Sequence, residues 1–561
     1  QLQHSPTYGG VCEIGGRSEE VVAKEDRFRF KRLDTVGAAA AEEDKTFLQE
    51  CFLATTHLDV LRDIHDPRSI ILGRTGSGKT ALLQKLADLE PRTIEIRPES
   101  LALSYISNST ILTFISELGV KLDIFFRLLW RHVLTVELLK AHFNITTEDD
   151  RNSFLVSIRE IFRSKKNQQA IEYLEKWGRS FWEETEYRIK EVTTNLEDHV
   201  KDSIRTILPG ISFSTSELGR LSEEQKKEVI TRAQHVVNQV QIRQLSEIID
   251  LIDSVLEDPQ KHYFLTIDRL DEGWVEDRLR YRLIRALIET VRDFRKVKNA
   301  KVVVAIRYDL LDRVFRWTRD SGFQEEKYES LFLPLEWTRE SLLQVLDERI
   351  SFLVRRRYTT QKVTHGDLLP SKMKGERAVD YIIERTLLRP RDIIIFFNKC
   401  IALAADRPTL TGQIIKEAEG EYSRDRLRAL ADEWYVDYPN LLEFVALLKG
   451  GKSHFRLEEV PHQKCEQFCL DWVTAAHDQH RDFFSRIAQN VANGDLDANE
   501  FKKSLFQTFY RIGLVGLKPE AFQKVTWVTT GRATVSAAEI SSRTIASVHP
   551  AFWRTLGIID A

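Results

Sequence analysis

An excess of charge of either sign is missing from this 561-residue chain: 82 Lys and Arg stand against 85 Asp and Glu, for a net charge of -3. No global field draws it to nucleic acid or anionic lipid, so any such binding must come from a local patch. Cysteine is scarce too, with five in the whole chain, which excludes the disulfide framework of a small secreted domain and fits a reducing compartment. Cys465 and Cys469 fall on one helical face near His462, His477 and His480, but this spacing matches no zinc pattern, and an ordinary helix is the better reading. Long apolar runs are absent. The longest, such as Val302 to Ile306 and Ile393 to Phe397, fall far short of the roughly 18 residues of a membrane span. The amino terminus carries no apolar signal segment, so the cytoplasm is the expected compartment and no membrane partner is expected. Repeats of fixed period are lacking, and no low-complexity block exceeds Ala38 to Ala41.

Hydrophobic residues at 42% and charged residues at 30% describe a folded globular chain, long enough for several domains. Residues 1–42 show glycine pairs and scattered charge without periodicity and read as an arm. A helix follows from Glu43 to Leu58, then the short apolar run Ser69 to Gly73, a helix from Thr80 to Leu89, and a second strand at Thr93 to Arg97. That succession is a βαβ unit, so residues 43–107 form the first part of an α/β core with a parallel sheet. Residues 108–258 turn helical. Ser222 to Gln225 has the form of a capping box, and Val229, Ala233, Val236, Val237 and Val240 recur at helical spacing behind it. This stretch is expected to be a helical insertion, an interaction arm in character. The core resumes over 259–340, with strands at Tyr263 to Ile267 and Val302 to Ile306 around an amphipathic helix. A helical lid is expected over 341–440, in segments Ser341 to Arg355, Ala378 to Leu387, Arg391 to Ala405 and Gly412 to Glu433. Residues 441–561 read as a winged-helix-like domain, with a helix near Glu500 to Ile512 and strands at Val525 to Thr529 and Thr544 to Val548.

The chemistry concentrates in two strings. Gly73, Arg74, Thr75, Gly76, Ser77, Gly78, Lys79 and Thr80 satisfy the G-x-x-x-x-G-K-[ST] pattern between a strand and a helix. The glycines let backbone N–H groups face phosphates, and the following helix aims its positive end at the same charge. Lys79 is expected on the β- and γ-phosphates of ATP and Thr80 on Mg2+. The second string ends the strand Tyr263 to Ile267 with Asp268, the expected magnesium partner, followed by Asp271 and Glu272. Either of these two can activate water, with Glu272 preferred. Arg307 closes the next strand and Arg391 opens a lid helix, so both are candidate phosphate sensors. Arg313, Arg316 and Arg319 recur every third residue, which would suit an arginine finger offered to a second copy, although a solvated basic face is the plainer reading. The cluster Arg355-Arg356-Arg357-Tyr358 permits a nucleic-acid patch.

Taken together, Gly73 to Thr80, Ile267 to Trp274, Arg307-Tyr308-Asp309 and Arg389 to Asp392 resemble bacterial P-loop ATPases near the AAA+ class and its STAND and KAP relatives, several of them associated with defence against phage. The resemblance covers roughly Gly37 to Tyr438. It implies a P-loop core followed by a lid and a winged helix, ATP and Mg2+ as cofactors, ATP hydrolysis that regulates or remodels, possible self-assembly, and a separately encoded effector such as a nuclease. The long insertion departs from it. The Asn-Lys-x-Asp string of a GTPase is absent, since Asn398-Lys399-Cys400-Ile401 lacks the acid, and no ABC signature or kinase catalytic loop is present. The open alternatives are a nucleotide-gated scaffold and a DNA-binding ATPase resembling origin-recognition proteins.

Overall fold

Four of the five core strands lie where alternation and apolar runs place them. The computed structural model describes residues 28–101, 109–144, 185–239, 253, 256, 258–319, 324–355, 362–475, 482–528 and 535–560. The strands β1 (Ile70–Gly73), β2 (Thr93–Ile96), β3 (Tyr263–Ile267), β4 (Ala300–Arg307) and β5 (Phe332–Pro334) form one sheet in the order β2-β3-β4-β1-β5. Every pairing in it is parallel. Because both faces are covered, the central strands are buried along their length, which explains their unbroken apolar runs. β5 is only three residues long and ends at Pro334, so no periodicity announces it.

Side chains alternate between two cores. Ile71, Phe264, Val303 and Ala305 pack on one face with Leu82, Leu83 and Leu86 of the Lys79–Leu89 helix. Ile70, Leu72, Leu265 and Val304 face the opposite core, and here the helical insertion is found. Its Asp123–Phe143 helix lies along the Asp277–Phe294 helix, where the Trp130 indole N–H donates to the Leu283 carbonyl at 2.8 Å. Phe126 and Leu134 are fully buried in the same cluster as the sheet. The described part of the insertion thus packs on this sheet face together with the Asp277–Phe294 helix rather than projecting as an arm, because its apolar stripe is buried in the same cluster as the strands. Ser222 and Gln225 form the expected reciprocal cap, backbone to side chain in both directions, at 3.0 and 3.2 Å.

Lid helices run Arg339–Arg355, Ala378–Glu384, Pro390–Leu403 and Gly412–Glu433, with a small hairpin of β6 (Lys372–Met373) and β7 (Glu376–Arg377) among them. The last part of the chain has an antiparallel sheet of β8 (His454–Arg456), β9 (Val515–Lys518) and β10 (Ile545–Val548) in the order β8-β10-β9, with helices His462–Thr474, Phe483–Ala492 and Ala498–Ile512 against it. The strand expected from Val525 reduces to a single bridge between Thr526 and Leu517, and Thr529 lies outside the described residues. Lid and terminal domain share one core, in which Tyr422 and Ile393 of the lid join Phe444, Phe509 and Phe552. Cys465 and Cys469 are buried there as plain core residues.

The expected arm also departs from expectation over residues 28–44. The Phe30 N–H donates to the Arg407 carbonyl, the Val36 N–H to Asn398 Oδ1, and Arg349 reaches both the Val36 carbonyl and the Asp44 carboxylate. The segment is tied to the lid through backbone groups, contacts that residue type alone does not reveal. Residues 1–27 lie outside the described residues.

Candidate functional site

The order of the sheet decides which side chains can meet. β1 sits between β4 and β5, with Gly73 in register with Arg307, and β3 lies beyond β4. The loop after β1, the end of β4 and the end of β3 therefore open on one carboxyl edge, where ligands of such sheets bind. A cavity of about 240 Å³ at that edge is lined by Gly76, Gly78, Lys79, Thr80, Asp268 and Asp271, together with Glu272, Arg307 and Arg391.

The loop has the shape its glycines allow. Gly76 and Gly78 have φ of +77° and +95°, where a side chain would be strained. A Cβ on Gly76 would also lie 2.8 Å from Cβ of Arg391, so the lid presses directly on this glycine. Lys79 folds back, its ammonium donating to the carbonyls of Gly73 and Arg74 at 3.1 Å each. Burial draws its pKa down to about 8 against the opposing pull of Asp268. The Thr80 hydroxyl donates to Asp268 Oδ2 at 2.7 Å, across 188 positions of sequence. Burial raises the Asp268 carboxyl above its ordinary value, with Thr80 and the Arg269 N–H acting the other way. Arg269 has φ +58°, which turns the chain sharply after the strand and lets its own N–H donate to Asp268 Oδ1. Ser77 Oγ and Thr75 Oγ1 are buried without a hydrogen-bond partner. A hydroxyl and a carboxylate held together, beside a buried ammonium and unsatisfied hydroxyls, fit a magnesium-bound triphosphate.

Asp271 and Glu272 are now distinct. Asp271 is ion-paired with Arg307 at 2.9 Å, whereas Glu272 reaches Arg269 only at 3.8 Å and is half exposed. Burial and the nearby Glu99 raise the Glu272 carboxyl above its usual range, against the pull of Arg269. Arg307 is gripped at both Nε and Nη2 by Asp309 at 2.9 Å, and this acid, with Glu433 and Asp271, outweighs the burial that disfavours its charge. Arg391 donates from its backbone to the Gly76 carbonyl at 3.3 Å and from Nε to the Ala39 carbonyl at 3.1 Å, and burial lowers its pKa.

Arg74 differs from its neighbours. Its side chain leaves the cavity, is partly buried, and donates to the Ile512 carbonyl at 2.8 Å at the end of the Ala498–Ile512 helix. Only its backbone faces the phosphate loop. Of the three candidate finger residues, Arg313 is buried against Asp437 and Asp309, Arg316 pairs with Asp312 and Asp437, and Arg319 is exposed; the three do not share one solvated face. Arg355 ends its helix, and Arg356 to Tyr358 lie outside the described residues.

The alanines of the cavity wall, Trp337 and Glu433 escape a reading by motif, and Arg389, inside a string already singled out, has a role that the string does not give. Ala38, Ala39 and Ala41 line the cavity together with Pro390 and Ile394, giving it an apolar part with small side chains. The only signal for them is the alanine run itself. Trp337 donates its indole N–H to the Ser77 carbonyl at 2.7 Å. Arg389 donates to the Thr75 carbonyl at 2.9 Å and pairs with Asp392 at 2.8 Å, while Glu433 is buried among Arg389, Arg74, Arg307 and Arg426.

The strand, glycine loop and helix, with an acidic strand end set against the loop's threonine, define a P-loop NTPase core. Comparison with known proteins adds context. A family described as the FunZ-associated C-terminal helical domain matches residues 340–431, which are the lid helices. The chain is 21% identical over 538 residues to the putative transposon gamma-delta 80.3 kDa protein of Escherichia coli (strain K12), covering 93% of this chain and 67% of that protein. The crystal structure of Cdc6p from Pyrobaculum aerophilum aligns with a TM-score of 0.26 and 12% identity, over 91% of this chain and 90% of that one.

Proposed function

We propose that the protein is a magnesium-dependent ATP-binding and ATP-hydrolysing regulatory subunit whose phosphate loop reports nucleotide state to its lid and terminal domain. One observation carries the reading: the 2.7 Å hydrogen bond from Thr80 to Asp268 in the cavity that also holds Lys79. Thr80 and Asp268 would hold Mg2+, which would supply charge neutralisation at the phosphates during transfer. Lys79 exchanges its two loop carbonyls for phosphate oxygens, and the alanine wall with Ile394 receives the base. Glu272, paired more loosely than Asp271, takes a proton from the water that attacks the γ-phosphorus. The bond from that phosphorus to the bridging oxygen of ADP breaks, and ADP and inorganic phosphate result. Arg307 and Arg391, which both line the cavity, sense the γ-phosphate.

Action on a separately encoded effector such as a nuclease, in defence against phage, fits the resemblance to defence-associated ATPases and the likeness to a transposon protein. Self-assembly and a DNA contact through the terminal domain are further parts of this proposal. The reading as a nucleotide-gated scaffold gains from one contact, that of Arg74 with the terminal domain, because such a contact transmits loading of the site whether or not turnover follows. Phosphate release and nucleotide binding measured on the same purified protein test both. The wild type is expected to bind Mg-ATP and release phosphate, and Glu272→Gln to bind without release. Binding without release in the wild type leaves the scaffold reading standing alone, and absence of binding overturns both.

A further inference from the structure

A second cavity, of about 240 Å³, lies in the terminal domain, remote in sequence from the phosphate loop and unused by the proposed reaction. Its walls are Leu447, Phe455, Val460, Leu505 and Phe506, with Cys465 at its side. Three lysines line it. Lys452 is neutralised by Glu459 at 2.9 Å. Lys502 is 2% exposed and donates only to the carbonyls of Leu457 and Val460, at 3.1 and 3.0 Å. Lys464, at the rim, donates to the Leu447 carbonyl at 3.0 Å. Among the described residues no carboxylate pairs with Lys464 or Lys502, and both side chains line this one cavity together with Cys465.

An ammonium set in an apolar pocket without a counter-charge is costly, and a bound anion relieves the cost. Each of the two ammonium groups has donor capacity beyond its carbonyls, since three N–H groups are available on each. The apolar walls require a hydrocarbon body rather than a bare ion. The volume, below the ~300–1,000 Å³ of sites for drug-sized ligands, limits that body to a short one. We propose that this cavity binds a small amphipathic carboxylate, with its head on Lys464 and Lys502 and its chain among Leu447, Leu505 and Phe506.

Titration of the full chain with octanoate and with octan-1-ol, followed by calorimetry or saturation-transfer NMR, tests this. The two probes share a chain and differ in head-group charge. Octanoate is expected to bind at least about tenfold more tightly than the alcohol, as one charge-assisted contact of ~1.5–3 kcal/mol requires. Lys464→Met, on an exposed side chain that leaves the fold intact, is expected to remove that preference while leaving octan-1-ol unchanged. Leu505→Trp fills the cavity and is expected to abolish binding of both. Lys502→Met removes an ammonium that ties two carbonyls of the fold, so Lys464→Met is the variant that separates binding from folding. Mg-ATP binding by each variant, measured in parallel, reports that the chain is folded. Equal affinity for the two probes, octanoate binding untouched by Lys464→Met or Leu505→Trp, or no binding at millimolar octanoate would each overturn the proposal.

Discussion

Lys79 occupies two carbonyls of its own loop and is buried enough for its pKa to fall to about 8. A phosphate group restores the charged form, so nucleotide binding above pH 8 must take up a proton. Affinity is expected to fall by up to about tenfold per pH unit from pH 8 to 10, the limit for one linked proton. Calorimetry in buffers of different ionisation enthalpy checks this through the proton count. The same depressed pKa has a consequence for stability. Between pH 8 and the ordinary lysine value the unfolded chain binds the extra proton, so this group contributes stability that rises with pH in that window. Lys79→Ala is expected to reduce Mg-ATP affinity by about 100-fold or more, since a buried charge-assisted contact is lost. Asp271 and Glu272 separate at this scale too. Asp271→Asn releases Arg307 from its ion pair and is expected to change affinity as well as rate. Glu272→Gln, which loses only a loose, half-exposed pair with Arg269, is expected to change rate alone, by about 100-fold or more.

At the scale of elements, the phosphate loop is gripped from outside. Arg389 holds the Thr75 carbonyl, the Arg391 N–H holds that of Gly76, Trp337 holds that of Ser77, and Arg74 is planted in the end of the Ala498–Ile512 helix. That helix ends at Gly513 with φ +82°, and a Cβ there would lie 2.6 Å from Arg74 Nη1. Gly513→Ala is expected to destabilise the protein by about 1–3 kcal/mol through strain and the clash together. Urea denaturation of this variant, of Arg74→Ala and of the double variant isolates the clash, because the strain remains when Arg74 is removed. A coupling of about zero would mean that the two elements do not press on each other. The buried pair of Arg349 and Asp44 performs the same service for the amino-terminal segment, and Arg349→Met is expected to cost about 3–5 kcal/mol by leaving the acid unpaired.

Across the whole molecule, a chain of buried charges links the three parts of the site. Arg307 and Asp309 belong to the end of β4, Arg389, Asp392 and Arg426 to the lid, and Glu433 to the lid's last helix, while Arg74 carries the link into the terminal domain. Glu433 is held charged against its burial by the surrounding guanidiniums, Arg389 foremost. Such a network has discrete arrangements rather than a continuum, which suits the proposed role of Arg307, in which a γ-phosphate would draw it away from its acids.

The core strands, the Gly73 to Thr80 loop and the acid at Asp268 could be read from the linear chain, because each is local: an apolar run, a glycine spacing, a carboxylate where a strand stops. The lid helices were legible for the same reason, as turns of 3.6 residues show in any window. What residue order cannot contain is who stands beside whom across hundreds of positions. That Thr80 meets Asp268, that Arg74 turns away from the cavity, that alanines before the first helix line it, and that the insertion packs on a sheet face all follow from the strand order β2-β3-β4-β1-β5 and from which surfaces remained to be buried. Those are long-range packing decisions, and only the folded chain makes them.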